Sequence, residues 1–370
     1  MIKFLKISLI VLMFVIPGIG FLITDNNTVI KSENRHITQF PSEYSDMFFS
    51  DCVNWFNDRL LFKLDANEKL YPRFTELFKD FNFSASQFSV TGLEGWIFSG
   101  DKSDYVYSQH SKKLLFQNGN LDKKIRDLSA IRNSFKGQMF FVVGPDKHGI
   151  YPEFMDPNIQ SPGAYRFFDT YKALLNVKGI TVIDNFKSLI DSKDPKNKVS
   201  LYYGDDTHWN RYGAYIAFRN VLKTVAPDDD QILYNFKFSH HMNGDLIRNI
   251  KNPSRSMLDD AEIVNPLNQK IIIEDIFAKN EKEILFNVNI PQPFNSRYKN
   301  PNALSDKKVF VISDSYGIAF VPYVVEHFQQ VTHMNRRLAD LNVILQEIVQ
   351  SEPDILIYLN VEREIADRVM

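Results

Sequence analysis

The stretch Val309-Phe310-Val311-Ile312-Ser313-Asp314-Ser315-Tyr316-Gly317 decides how the rest of the chain is read. The four consecutive apolar residues, Val309 to Ile312, predict a strand buried on both faces, as in parallel sheets covered by helices. The chain then turns through Ser-Asp-Ser-Tyr-Gly, and Asp and Ser favour turns by hydrogen-bonding the local backbone. A serine at a strand-to-helix turn holds its hydroxyl at the carboxyl edge of the sheet, where open α/β folds bind ligands. Ser315 is the candidate nucleophile.

Such a hydroxyl is weak until a histidine takes its proton, and the histidine needs a carboxylate to fix its tautomer and stabilise its charged form. Far upstream, Gly204-Asp205-Asp206-Thr207-His208-Trp209-Asn210 supplies both. Asp206 and His208 are two residues apart, so in an extended segment their side chains share one face. Together the two stretches predict a Ser315–His208–Asp206 triad. Either one alone carries little, because Asp-x-His is more often a turn or a metal fragment and Asp-Ser after an apolar run is common.

Outward from these stretches the pattern alternates. A helix through Ile125, Leu128 and Ile131 leads into a continuous apolar strand, Gln138 to Val143, which ends at Gly144-Pro145-Asp146-Lys147-His148. A helix at about 163–176, a strand from Ile180 to Asp184 and an amphipathic helix from Gly213 to Val225 follow. After Ser315 come a helix carrying Val324, Val325 and Phe328, a further helix from Leu338 to Val349, and a last strand from Asp354 to Leu359. Its end, Asn360-Val361-Glu362-Arg363, emerges on the same edge as Ser315. Strand and helix in alternation predict an α/β sheet. Residues 230–305 are less regular, with short strands at Ile271–Ile273 and Ile284–Val288 and a loop at Pro291-Gln292-Pro293, and read as an excursion from the sheet that shapes a substrate groove.

The N-terminal end differs from the rest. Lys3 and Lys6 precede an apolar run from Ile7 to Ile23, broken only by Ser8 and Pro17-Gly18-Ile19-Gly20. A positive start followed by a hydrophobic core reads as an export signal. Without a small-x-small cleavage site after it, residues 1–24 are expected to stay as a membrane anchor with the charged end cytoplasmic and the rest exported. A cleaved signal peptide is the alternative. Residues 25–121 read as an arm and a helical region, with Phe48, Cys52, Trp55, Phe56, Leu60 and Leu64 at helical spacing, and then a turn into a strand at Gly92-Leu93-Glu94-Gly95-Trp96-Ile97-Phe98. The catalytic module is expected over 122–370.

The 370 residues carry a net charge of -2 with no basic block, which argues against a nucleic-acid partner. The 31 phenylalanines and 16 tyrosines suit a packed interior and a sugar-binding surface equally. Cys52 is the single cysteine, so no internal disulfide forms. No His, Cys and carboxylate group has metal-site spacing, and His240-His241 alone is not a site.

These residues resemble the SGNH-hydrolase-like O-acetyltransferases of the alginate AlgJ/AlgX type. The likeness runs through Glu33-Asn34-Arg35, Phe40-Pro41, Trp55-Phe56-Asn57-Asp58-Arg59, Gly95-Trp96-Ile97-Phe98 and Pro145-Asp146-Lys147. It continues through Asp206-Thr207-His208-Trp209, Gly244-Asp245-Leu246, Ser313-Asp314-Ser315-Tyr316 and Pro353-Asp354. Its specific part is the Asp-x-His-Trp and Asp-Ser-aromatic pair, in that order. Simple SGNH esterases have the serine block first and the histidine last, so the reversed order here resembles a circular permutation. The resemblance implies a three-layer, flavodoxin-like parallel sheet with the anchor and the irregular insertion attached, and a triad of Ser315, His208 and Asp206. It departs from the pattern at Ser313, where many relatives have glycine, and in lacking clear equivalents of the esterases' oxyanion glycine and asparagine.

The Ser315 backbone N–H is then the first oxyanion donor, and Asn360, at the end of a Pro-Asp-apolar strand, the candidate second one. Trp209, Lys147, Tyr316 and Arg336 are candidate substrate-binding residues. Each has a structural alternative: Trp209 packing under the histidine, Lys147 in an exposed loop, Tyr316 supporting the nucleophile turn, Arg336 in an ion pair. The chemistry needs no metal or bound cofactor. What the resemblance implies is a periplasmic enzyme held to the inner membrane. It would take acetyl from a membrane-bound acyltransferase and pass it to an exported polysaccharide. Two other readings stay open at this stage: a polysaccharide acetyl esterase using the same triad, and a non-catalytic polysaccharide-binding scaffold of an export complex.

Overall fold

The run beginning at Val309 lies inside an eight-stranded sheet in the computed structural model of the chain. The structure describes residues 89–100, 119–155, 180–196, 198–241, 244–247 and 255–365, with isolated positions at 29–30, 35–36, 40, 55, 106 and 110. Two compact units divide the chain, one of residues 1–85 with 247–252 and one of residues 86–246 with 253–370. In the first, Val29–Ile30 pairs antiparallel with Arg35–His36, and Phe40 meets Trp55 edge-on at 5.1 Å. The expected anchor at 1–24, the helix around Trp55 apart from Trp55 itself, and the helix at 163–176 lie outside the described residues. Among the described residues no helix is long and apolar enough to cross a membrane.

The second unit holds the sheet. It opens with a hairpin of β1 (Ser89–Thr91) and β2 (Ile97–Ser99), then α1 (Gly119–Asn133), β3 (Gln138–Gly144) and the single turn α2 (Lys147–Ile150). β4 (Thr181–Asp184), α3 (Phe186–Asp191) and α4 (Arg211–Val225) follow. A second hairpin of β5 (Asn235–Ser239) and β6 (Asp260–Val264) precedes β7 (Gln269–Asp275), β8 (Glu281–Phe286) and β9 (Ser296–Lys299). The chain closes with β10 (Ser305–Ser313), α5 (Gly317–His327), β11 (Phe328–Asn335), α6 (Leu341–Ser351) and β12 (Ile355–Val361).

Strands lie in the order β8-β7-β9-β11-β10-β12-β3-β4. The five from β11 to β4 are parallel, while β9, β7 and β8 join antiparallel. Alternate residues of the parallel strands feed two cores. Val309, Val311, Ile355, Ile357 and Leu359 pack with Ala214, Phe218 and Val221 of α4 and Phe320 and Val324 of α5. Phe310, Ile312, Leu356 and Tyr358 pack with Leu128 and Ile131 of α1 and Ile344 and Ile348 of α6. Burial of both faces is why these strands read as unbroken apolar runs. Three layers result. Counted along the chain from β10, through its end and back to its start, the parallel strands lie in the order 2-1-3-4-5 of flavodoxin-like sheets, with the switch point between β10 and β12.

Two expectations are corrected. The region 230–305 is an excursion only in part: β5 and β6 form their own two-stranded sheet, but β7, β8 and β9 extend the central sheet, and the short strands expected there run from Gln269 to Asp275 and from Glu281 to Phe286. The sheet is accordingly mixed rather than parallel throughout. The helix expected to include Phe328 stops at His327, and the following Phe328–Asn335 forms the parallel strand β11. Its buried Thr332, His333 and Asn335 disguise it, since an interior strand is expected to be apolar.

Glu326 on α5 is fully buried, accepts the Tyr234 hydroxyl on one oxygen, and has no partner for the other among the described residues. Burial raises its carboxyl from 4.5 to about 7, against the pull of the Tyr234 hydrogen bond. The folded chain therefore holds a proton that the unfolded chain releases, and stability falls as pH rises through that window, by up to about 3 kcal/mol. Glu326→Gln should remove this slope. Melting temperatures of the two proteins compared between about pH 5 and 8 will show it, with the wild type falling relative to the variant.

Candidate active site

Ser315 sits in the turn between β10 and α5, at the switch point of the sheet. Asp314 ties this turn down. Its carboxylate accepts the Tyr316 N–H at 2.9 Å and, from the end of β12, the Val361 N–H at 2.7 Å. Gly317 is required here, because a Cβ would overlap the Ser313 hydroxyl.

The second stretch reaches the same edge. His208 Nε2 lies 2.7 Å from Ser315 Oγ, and His208 Nδ1 lies 2.6 Å from Asp206 Oδ1. With the carboxylate ionised, Nδ1 carries the proton and Nε2 is left to accept from the serine hydroxyl. The Asp206 and His208 side chains are 16% and 24% exposed, enough for an acyl group or water to arrive. The backbone between them is a turn rather than the extended segment expected, and Asp206 Oδ1 also accepts the His208 N–H at 3.0 Å. An Asx-type turn thus brings the pair together. Burial alone would raise the Asp206 carboxyl, but its hydrogen bond from His208, the His208 charge and N–H donors from Asp245 and His208 hold it below the usual carboxylate range.

Asp245, singled out in the sequence only as part of Gly244-Asp245-Leu246, completes the loop. Its N–H donates to Asp206 Oδ2 at 3.0 Å, while its carboxylate accepts the Thr207 N–H at 2.8 Å and the Thr207 hydroxyl at 2.7 Å. Asp206, His208 and Asp245 offer ligand atoms within 4.8 Å of one another. Those atoms already satisfy each other and Thr207, so the group is a hydrogen-bonded network in character. Beneath it, buried Asp205 binds His241 Nδ1 at 2.6 Å and Arg255 at 3.4 Å, and Asp259 accepts the Gly204 N–H at 2.7 Å. His241 thereby gains a partner that reading His240-His241 as a pair could not supply.

Trp209 and Tyr316 lock the two stretches together. Trp209 Nε1 donates to the Tyr316 carbonyl at 3.1 Å, the Tyr316 hydroxyl donates to the Thr207 carbonyl at 3.0 Å, and the rings meet at 4.7 Å. Both side chains are fully buried. They brace the site and present no face to a substrate. Arg336 is also buried, paired with Glu364 and 3.7 Å from Asp314. Lys147 lies inside the protein with its ammonium on backbone carbonyls rather than in an exposed loop. Burial lowers it to about 8, against the raising effect of Asp206 and its neighbours.

Asn360, the candidate second oxyanion donor, is turned away. Its Nδ2 donates to the Val361 carbonyl at 2.6 Å, and its Oδ1 accepts Lys124 Nζ at 2.7 Å. The residue ends its strand where expected, but its amide is engaged behind the sheet edge. For the Ser315 N–H, no acceptor is found among the described residues, which leaves it available to an oxyanion.

A second serine–histidine contact provides a contrast. Ser313 Oγ lies 2.8 Å from His333 Nε2, but it donates its proton to the Asp314 carbonyl at 2.9 Å, and His333 Nδ1 has no partner among the described residues. Burial lowers His333 to about 3. With no carboxylate behind it and its hydroxyl proton committed elsewhere, this pair lacks the carboxylate–histidine relay that meets Ser315.

A mixed α/β fold with a large central sheet of this order is consistent with an SGNH-hydrolase-like fold. Residues 90–266 match the family described as SGNH hydrolase-like domain, acetyltransferase AlgX. That stretch, which includes the Asp206–His208 loop, is similar to this acetyltransferase family. Among solved structures, PatB1 of Bacillus cereus, determined with a sulfonyl adduct, is 12% identical with a TM-score of 0.54, covering 76% of this chain and 95% of that one. A DHHW family protein from Eubacterium siraeum is 14% identical with a TM-score of 0.51, over 76% of this chain and 95% of that one. At such identities both support the fold alone. No curated protein matches the chain.

Proposed function

We propose that the protein is an O-acetyltransferase that carries acetyl on Ser315 and delivers it to hydroxyls of an exported polysaccharide. The observation that carries this reading is the unbroken relay Asp206 Oδ1–His208 Nδ1 and His208 Nε2–Ser315 Oγ, at 2.6 and 2.7 Å. The match of residues 90–266 to an acetyltransferase family supports acetyl as the group carried.

In the first step His208 Nε2 takes the Ser315 proton as Oγ attacks the donor's acetyl carbonyl. The Ser315 N–H faces the oxyanion, and Asp206 balances the imidazolium. The donor's C–O bond breaks, its oxygen leaves with the proton from His208, and acetyl-Ser315 remains. A sugar hydroxyl then loses its proton to His208 while attacking the acetyl carbon, and Ser315 Oγ leaves with that proton. Each proton taken is returned, and no electrons are transferred.

By this reading a membrane-bound acyltransferase supplies acetyl, and residues 1–24 hold the enzyme at the inner membrane on the periplasmic side. The reversed order of the serine and histidine blocks, and the 2-1-3-4-5 strand order counted from β10, support descent by circular permutation. An esterase reading is favoured by one observation, the 24% exposure of the His208 side chain, which admits water as a competing acceptor.

The test is acetyl transfer by the full-length protein in detergent, from an activated acetyl ester to acidic oligosaccharides. Acetylated sugar formed at the expense of free acetate is expected. Acetate release unaffected by any oligosaccharide would replace the transferase with an esterase. The absence of ester turnover would point to a scaffold.

A further inference from the structure

Two stretches singled out in the sequence, Pro145-Asp146-Lys147 and Gly95-Trp96-Ile97-Phe98, take no part in the acyl chemistry, yet they converge on one atom. Lys147 Nζ, in a residue only 2% exposed, lies 2.6 Å from the Ile97 carbonyl, 2.7 Å from that of Asp206, 3.0 Å from that of Tyr203 and 3.2 Å from that of Gly204. The rings of Trp96 and Phe98 flank it, with centroids at 5.6 and 5.3 Å. Oxygen dipoles in front and aromatic faces beside it make this a complete cation site, filled by the protein's own side chain.

Three of the four carbonyls belong to residues 203–206, the segment that delivers the Asp206 carboxylate. Oxygens aimed at one point repel one another unless a positive charge lies between them. The fourth comes from β2, which also donates its Ile97 N–H to the Gly204 carbonyl at 2.9 Å. The loop is therefore curved around the ammonium and fastened to the β1–β2 hairpin through it. Asp206 is held at both ends, its carbonyl by Lys147 and its carboxylate by His208, with no residue in between.

We propose that Lys147 is a positioning residue whose ammonium serves as a built-in cation, gathering the 203–206 carbonyls so that the Asp206 carboxylate meets His208. This rests on the triad reading above. A displacement of about 1 Å in such a support costs on the order of 100-fold in rate.

The experiment uses full-length Lys147→Ala, Lys147→Met and Lys147→Arg, with ammonium chloride added and with tetramethylammonium chloride as a cation too large for the cage. Two readouts are followed: acetyl-ester turnover, and the low-field proton resonance of the His208 Nδ1–H, assigned by its absence in His208→Ala. The folded alanine variant should lose about 100-fold in kcat with little change in KM. Its resonance should disappear, and ammonium should restore both while tetramethylammonium does not. Arginine should fail, because a planar guanidinium cannot converge on this set of oxygens.

Wild-type turnover and resonance in a folded alanine variant would overturn the proposal. So would losses that ammonium leaves unrepaired, or unfolding of both the alanine and methionine variants without recovery in ammonium. Should the wild type show no Ser315-dependent turnover, the acyl-transfer reading fails by itself, and the resonance still decides the role of the cage.

Discussion

Ser315→Ala and His208→Ala should each lower acetyl-ester turnover by roughly 10^4- to 10^6-fold, and the double variant should lose little more. The near-equality follows from the 2.7 Å contact between His208 Nε2 and Ser315 Oγ. Without the hydroxyl the imidazole has nothing to deprotonate, and without the imidazole the hydroxyl stays protonated at neutral pH. Neither change should disturb the fold, because the turn is held by Asp314 through the Tyr316 and Val361 N–H groups and by the buried Tyr316 ring. Single-turnover kinetics with an activated ester, set beside melting curves, measures both halves of the expectation. Residual turnover that survives equally in both variants would belong to another group. Ser313, which meets a histidine of its own, is an alternative serine, and Ser313→Ala would separate the two.

Asp206→Asn should cost about 10^4-fold at neutral pH, although it changes a single atom. Both carboxylate oxygens of Asp206 are acceptors, Oδ1 from His208 Nδ1 and the His208 N–H, Oδ2 from the Asp245 N–H. An asparagine amide satisfies only one side. With its oxygen toward His208, its NH2 opposes the Asp245 N–H and loosens the loop. With its NH2 toward His208, the imidazole is driven to the tautomer whose proton faces Ser315, and the base is lost. The same substitution has a signature in stability. A carboxyl held below its unfolded value stabilises the folded state above the unfolded pKa of about 4, and that contribution is lost as pH falls through the folded value. The asparagine variant should lack this acid-side slope in urea titrations.

The legible parts of the sequence were those in which one interaction dominates. Val309–Ile312 and Ile355–Leu359 are covered on both faces, so burial alone writes their pattern. Ser315, His208 and Asp206 were singled out because nucleophilic chemistry demands those residue types, and the structure places the three within hydrogen-bond distance of one another through His208. Phe328–Asn335 escaped because polar groups of the strand meet partners inside the fold, His333 Nε2 with Ser313 at 2.8 Å and the Asn335 backbone N–H with Asn295 at 3.1 Å. No local periodicity encodes such partners. The strands at 269–275 and 281–286 were expected, but their place in the central sheet was not, since they form its antiparallel flank and carry exposed charges such as Lys270, Glu281 and Glu283.

The supporting residues were harder still. Lys147, Trp209, Tyr316 and Arg336 looked available to a substrate because their position near a strand end is visible in the sequence, while the direction of a side chain is not. Asn360 lies at the predicted edge, but a buried lysine from α1 claims its oxygen. Asp245 and the buried Asp205–His241–Arg255–Asp259 group act through contacts between segments 36 or more residues apart for the His241–Asp205 bond and 38 or more for the Asp245 bonds. Tertiary placement decides such roles.

The most direct test of acyl transfer through Ser315 is to trap the acyl-enzyme. Full-length protein would be mixed with an activated acetyl ester, quenched in acid within the first turnover, and digested for peptide mass spectrometry beside Ser315→Ala and His208→Ala. One acetyl group on Ser315 is predicted in the wild type, absent from both variants and discharged when an acidic oligosaccharide is added before the quench. Acetyl found on other residues only, or on Ser315 to the same extent without His208, would contradict it.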